Sequence, residues 1–307
     1  MARKKKQPPA PAAAPAAPAG GYDEVSIRSW GYQLQKLNLK KAADSPFDLL
    51  VIDYSKDGSD EKALKPSDVA ALQRKPDGGR RVVLSYLSIG EAESYRYYWE
   101  EAWKKSPPAW MLGENPDWEE NYAVCFWDPG WQEKICGTPE AYLDKIIDAG
   151  FDGVYLDKCD VFEDMQRSFK AVAKSRRDIA GDMVAFVARL SAYAKQRRPG
   201  FLVVMQNAES LLDRKALVAA IDGVAKEELV FGQDGPEKHN MHDDVEYSTA
   251  QLAKARDAGK LVLVVEYLNE QGKIADAAKV SAEQGFVLYV SPKNRNLDRL
   301  NYEALVA

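Results

Sequence analysis

Apolar residues along this chain fall into short, nearly continuous runs separated by longer stretches with helical spacing. The runs at residues 30–34, 47–53, 81–89, 151–157, 201–207, 222–227, 261–267 and 286–291 are rich in Val, Ile, Leu, Tyr and Phe. Runs without polar alternation suit strands buried on both faces, as in a parallel sheet. Helical spacing predicts helices over 66–74, 139–148, 179–197, 210–220, 249–258 and 275–283. Gly150, Gly200, Gly259 and Gly285 each stand between a helical stretch and a strand, where a left-handed residue closes the last turn. Eight strands joined by helical crossovers predict an α/β fold, a single (β/α)8 TIM barrel, with a long aromatic-rich insertion after the third strand. The 307 residues are enough for that, since such a barrel takes about 250.

Residues 1–21, MARKKKQPPAPAAAPAAPAGG, form a separate Pro/Ala-rich segment that lacks both aromatics and the apolar core of a signal peptide. This composition predicts a disordered tether, or a leader with no role of its own, ahead of a folded unit spanning 22–307. The chain carries a formal charge of −5, and Arg3, Lys4, Lys5 and Lys6 lie in the segment, leaving −9 on the remainder. Such an acidic body argues against nucleic acid as a partner. No apolar run reaches the roughly 20 residues of a membrane span. Cys125, Cys136 and Cys159 show no CxxC pairing, and no GxGxxG or GxxxxGK[ST] follows a strand, so neither zinc nor nucleotide is expected.

Strand after strand ends in polar residues: Asp53 and Tyr54, Ser85 to Ser88, Asp157 and Asp160, Gln206 to Glu209, Glu227 and Glu228, Glu266 and Tyr267. Barrel active sites lie at the C-terminal strand ends, so these side chains should converge on one pocket. The bland alternative is that strand ends simply meet water. Paired carboxylates are the machinery of glycoside hydrolysis, one protonating the leaving oxygen and the other attacking the anomeric carbon or activating water. Asp157 would end the fourth strand and Glu227 the sixth, and strands of like parity share a side-chain layer. Backbones two strands apart lie about 10 Å from each other, within reach of inward-leaning carboxyls. Glu228 would point away from Glu227 if the strand continues.

Only two histidines occur, His239 and His242, which with Asp243 and Asp244 make either a weak metal cluster or a polar loop. Their position and the lack of GxSxG leave little room for a serine or cysteine triad. Between Tyr95 and Trp131 the chain holds six of its seven tryptophans. Such rings can face sugars or form the insertion's own core, and packing is expected for most of them. Arg96, with Glu91 and Glu93 in GEAESYR, is expected to anchor this insertion by ion pairs.

The segments SYLSIGEAESYRYYW, WDPGWQEKI, GFDGVYLDKCD, MQNAE, IDGVAKEELVFG and VVEYLN, in this order, resemble glycoside hydrolase family 114, whose characterised members are endo-α-1,4-polygalactosaminidases. A branch of that family is also labelled cysteinyl-tRNA synthetase-like, but HIGH and KMSKS are absent here. The resemblance runs from about Trp30 to Pro292. It implies cleavage of α-1,4-linked galactosamine or N-acetylgalactosamine polysaccharide, with Asp157 and Glu227 as the catalytic pair and Asn207 ending the intervening strand. Lys226 stands where the family pattern has asparagine. Asp53, Tyr86, Glu91, Tyr155, Asn207, Glu209 and Tyr267 are the expected substrate-binding residues, with Tyr155 flanking the sugar from the same strand face as Asp157. No cofactor or metal is implied. The expected partner is the polysaccharide alone, on a monomer, and the family points to an extracellular or periplasmic location. A barrel that binds carbohydrate without cleaving it is the alternative.

Overall fold

The computed structural model describes residues 26–302, so the Pro/Ala-rich segment lies outside the described residues. Eight parallel strands form the barrel: β1 (Trp30–Gln33), β2 (Leu49–Ile52), β3 (Val82–Ser88), β7 (Gly153–Asp157), β8 (Leu202–Gln206), β9 (Gly223–Glu227), β10 (Leu261–Tyr267) and β11 (Val287–Ser291). They pair in that order. The seam between β1 and β11 is bridged by the Trp30 indole, which donates to the Val287 carbonyl at 2.9 Å. The chain is thus a (β/α)8 TIM barrel, and every one of its strands falls within an apolar run of the sequence. The four expected glycine caps all lie in the left-handed region, with φ between 69° and 88°.

The long helices are α7 (Ile179–Arg197), α9 (His242–Asp257) and α10 (Gln271–Gln284). Helix α9 starts seven residues before the periodicity predicts, because its first two turns, HDDVEYS, are mostly polar and carry no apolar stripe. The stretch 210–220 is not one helix but a 3-10 turn, Glu209–Asp213, followed by α8 (Lys215–Ala220), with Arg214 extended between them. The insertion after β3 forms its own antiparallel sheet of β4 (Glu91–Glu93), β6 (Asn121–Val124) and β5 (Met111–Glu114), in that order. Its aromatics extend the barrel's hydrophobic core: Trp99, Trp103, Trp110 and Trp131 follow one another at ring spacings of 5.1–5.2 Å.

Three strands share a pattern in which an acid precedes the strand and another, five residues later, ends or directly follows it: Asp48 and Asp53, Asp152 and Asp157, Asp222 and Glu227. An odd spacing on a strand places the two acids on opposite faces. The first acid of each stitches the barrel's lower end. Asp48 accepts from the Ser29 amide at 3.2 Å, Asp152 from Val83 at 2.9 Å and Asp222 from Val203 at 2.8 Å. The second acid of each points into the opening at the other end.

Candidate active site

Beneath that opening the barrel is plugged by rings. Tyr32 and Tyr155 stand 5.2 Å apart, and Trp30 contacts both. Above the plug lies a cavity of about 690 Å³, in the range of small-molecule sites. Asp53, Tyr86, Glu91, Asn207, Tyr267, Asp157 and Glu227 all line it. Tyr155 does not: it is fully buried under the floor, because a barrel of this radius is filled by its own side chains. Its hydroxyl has no hydrogen-bond partner among the described residues. Glu209 also stays out of the cavity. Lys226 alternates outward from Glu227 and pairs with Glu209 at 2.9 Å, while Ser248 donates to Glu209 at 2.6 Å.

The two central carboxyls are held by neutral donors. The Tyr86 hydroxyl donates to Asp157 at 2.6 Å, and the Lys158 amide donates to its other oxygen at 2.6 Å. Glu227 accepts from the Tyr267 hydroxyl and, at 3.3 Å, from the Asn207 amide, while its own N–H donates to Asn207 Oδ1 at 3.1 Å. Burial pushes the Asp157 carboxyl above its ordinary value, against the pull of Lys158 and Tyr86. Burial likewise raises Glu227, and the charge of Asp157 raises it further. Asp160, on the same wall, is pushed up to about 7, chiefly by burial.

The strand exits carry an unusual backbone. Lys158, Asn207 and Glu228, the first residues after β7, β8 and β9, are non-glycine residues with φ of 60°, 54° and 55°. Such conformations cost about 1 kcal/mol or more each and gather at functional sites. They end the strands abruptly. Glu228 therefore does not continue the alternation expected of an unbroken strand: it turns back to the cavity wall and pairs with Arg295. Gly90 permits the tight approach of the insertion here, since a Cβ on it would lie 2.3 Å from the Lys158 carbonyl oxygen.

Elsewhere on the wall, three basic side chains are held in ion pairs. Arg96 is buried, donates to both Glu93 (2.6 Å) and Asp53 (2.8 Å), and so anchors the insertion as its sequence context predicts. Lys158 pairs with Glu91 at 3.0 Å, and Asn115 donates to Glu91 at 2.8 Å. Lys158 and Arg295 are among the wall residues that the sequence did not point to. Lys158 was adjacent to a named acid and could have been found. Arg295 comes from the chain's far end, 67 positions from its partner Glu228, and carries no local signal. The histidines do not converge: His239 packs on Phe231, whereas His242 lies exposed with Asp243 and Glu246. No helix among the described residues is long and apolar enough to cross a membrane.

Comparison with known proteins agrees with this architecture. The glycoside hydrolase domain of PelA from Pseudomonas aeruginosa superposes with a TM-score of 0.63 at 18% identity, covering 89% of this chain and 97% of that one, which supports the shared fold. An uncharacterised protein of Methanocaldococcus jannaschii is 37% identical over 89% of this chain and 78% of its own length. Another, from Deinococcus radiodurans, is 33% identical over 96% of this chain and 89% of its own. The pattern of glycoside-hydrolase family GH114 matches residues 6–304, and with that extent of agreement the chain belongs to this family of glycoside hydrolases.

Proposed function

We propose that this glycoside hydrolase uses Asp157 and Glu227 as its catalytic pair on an α-1,4-linked polysaccharide of galactosamine or N-acetylgalactosamine. The observation that carries the reading is that two half-buried carboxyls, ending the fourth and sixth barrel strands, share one cavity, where the charge of Asp157 raises the proton affinity of Glu227 and no cation bridges them. Glu227, the carboxyl raised further by its neighbour's charge, is the better suited of the two to carry a proton and deliver it to the glycosidic oxygen. Asp157 then meets the positive charge developing on the sugar ring, as nucleophile or as base for a water. Its hydrogen bond from Tyr86 keeps one oxygen fixed while the ring approaches.

The cavity wall supports a cationic sugar. Nine carboxylates and five basic side chains line it, and Arg96, Lys158 and Arg295 are each held in ion pairs with wall carboxylates. The negative surplus favours an ammonium-bearing chain over a neutral one. Product analysis on a panel of galactosamine, N-acetylgalactosamine and glucose polymers tests the proposal. The expected result is new reducing ends from the galactosamine polymers and none from Asp157→Asn or Glu227→Gln. Cleavage that survives both substitutions, or that appears only with glucans, removes it.

A further inference from the structure

The insertion's aromatics divide sharply. Six of the seven tryptophans have a ring neighbour at 6.2 Å or less, whereas among the described residues Trp118 has none. It is 55% exposed, and it lines the same cavity as the carboxyl pair. Tyr95, 42% exposed, lines that cavity too. An exposed indole adds nothing to the core and keeps apolar area in water, so its place on the wall of a binding cavity calls for a ligand with a flat apolar face.

Its support is rigid. Trp118 sits in the turn between β5 and β6, where the Asn115 amide donates to the Asn121 carbonyl at 2.7 Å and Asp117 N–H to Asn115 Oδ1 at 3.0 Å. The Ser94 amide donates to the Glu120 carbonyl at 2.8 Å, which ties Tyr95's neighbour to the same turn. Gly58 presses on Tyr95 so closely that a Cβ there would stand 2.6 Å from its carbonyl oxygen. The turn is joined to the catalytic strand by a relay: Asn115 to Glu91, Glu91 to Lys158, and the Lys158 amide to Asp157. Trp118 follows the relay's Asn115 by three residues, on the insertion rather than on a barrel strand.

We infer that Trp118, with Tyr95 on the same cavity's wall, is a stacking platform for a saccharide unit remote from the scissile bond, so that the site selects long chains over short ones. A pyranose offers axial C–H groups on one face, which an indole covers while leaving the hydroxyls in water. The inference rests on the saccharide-binding part of the proposed function, not on the identity of the catalytic pair.

The test measures affinity in the full chain carrying Asp157→Asn, so that substrate persists, using calorimetry with galactosamine polymers, chitosan and amylose and with the matching disaccharides. Trp118→Ala should weaken binding of the favoured polymer about tenfold and its disaccharide less than twofold, and Trp118→Phe should recover most of the loss. Equal losses for long and short ligands, an unchanged polymer affinity, or no binding by any polymer would overturn the platform. Hydrolysis by the unsubstituted enzyme separates the two ideas. If it cleaves the polymer while Trp118→Ala binds normally, only the platform fails. If it binds through Trp118 yet releases no reducing ends, only the catalytic pair fails.

Discussion

The two ends of the barrel use the same residue types for opposite purposes. At the lower end, Asp48, Asp152 and Asp222 accept backbone N–H groups of neighbouring strands and sit beside Lys75, Arg80, Arg198 and Lys195. At the upper end, Asp157 and Glu227 are held by hydroxyls and an amide, and a shared cavity makes each resist ionisation. Cations and backbone donors make a carboxylate a clamp between strands, whereas burial raises the proton affinity of the acids at the opening. Five residues along one strand separate the two fates.

The largest expected effect breaks this comparison at the upper end. Asp157→Asn or Glu227→Gln should reduce kcat by about 10³-fold or more. Urea unfolding of the same variants should show stability unchanged or slightly raised, since each removes a buried repulsion. A variant that loses activity by unfolding would show that the upper acids are clamps after all. At the lower end Asp152→Ala should cost about 3–5 kcal/mol, because it strands Arg80, Arg198 and the Val83 amide. Its kcat, measured below the unfolding transition, should remain near that of the parent. A Tyr267→Phe variant should lose about 1.5–3 kcal/mol of transition-state stabilisation, read as kcat. Its alkaline pH limb should also move upward, because the lost hydrogen bond favours ionised Glu227. An unmoved limb would detach Tyr267 from the titrating group.

The smallest effect concerns stability and pH, and its sign differs between the ends. Asp48 is lowered, its burial outweighed by the bonds from Lys75, Arg28 and Ser29, so its contribution is present above the ordinary carboxyl range and fades as acid protonates it. Asp160 is raised to about 7, so its contribution is complete below the ordinary carboxyl range and is lost as pH climbs through 7. Asp160→Asn should therefore stabilise the protein at pH 8 relative to pH 5, by on the order of 1 kcal/mol given the cavity's water and the nearby Lys158. Thermal melts at the two pH values check this, and parallel slopes for parent and variant would reject it.

How much of this could be read in advance varies by element. The barrel strands were legible because strands buried on both faces leave continuous apolar runs, and the helices with apolar stripes were legible for the matching reason. The polar first turns of α9 and the interruption at Arg214 were not, because tertiary contacts rather than periodicity decide them. Asp53, Tyr86, Asn207 and Tyr267 follow from strand ends and Glu91 from the insertion's GEAESYR segment, and all five line the cavity. Tyr155 and Glu209 do not: strand parity gives the face Tyr155 takes but not its depth along the barrel axis, and Glu209, in the turn past β8, is held by Lys226 and Ser248.

By itself, then, the chain's pattern of apolar runs, capping glycines and terminal acids determined a parallel barrel with carboxyls gathered at one end, because burial on both faces and crossover chirality leave few other arrangements. Only the tertiary structure decided which acids are neutralised and which are left to titrate. That outcome turns on Arg96 and Arg295 arriving from distant segments, and on three left-handed exits that aim Asp157, Asn207 and Glu228 into one space. Electrostatic environment is a property of neighbours in space, and a local sequence pattern does not carry it.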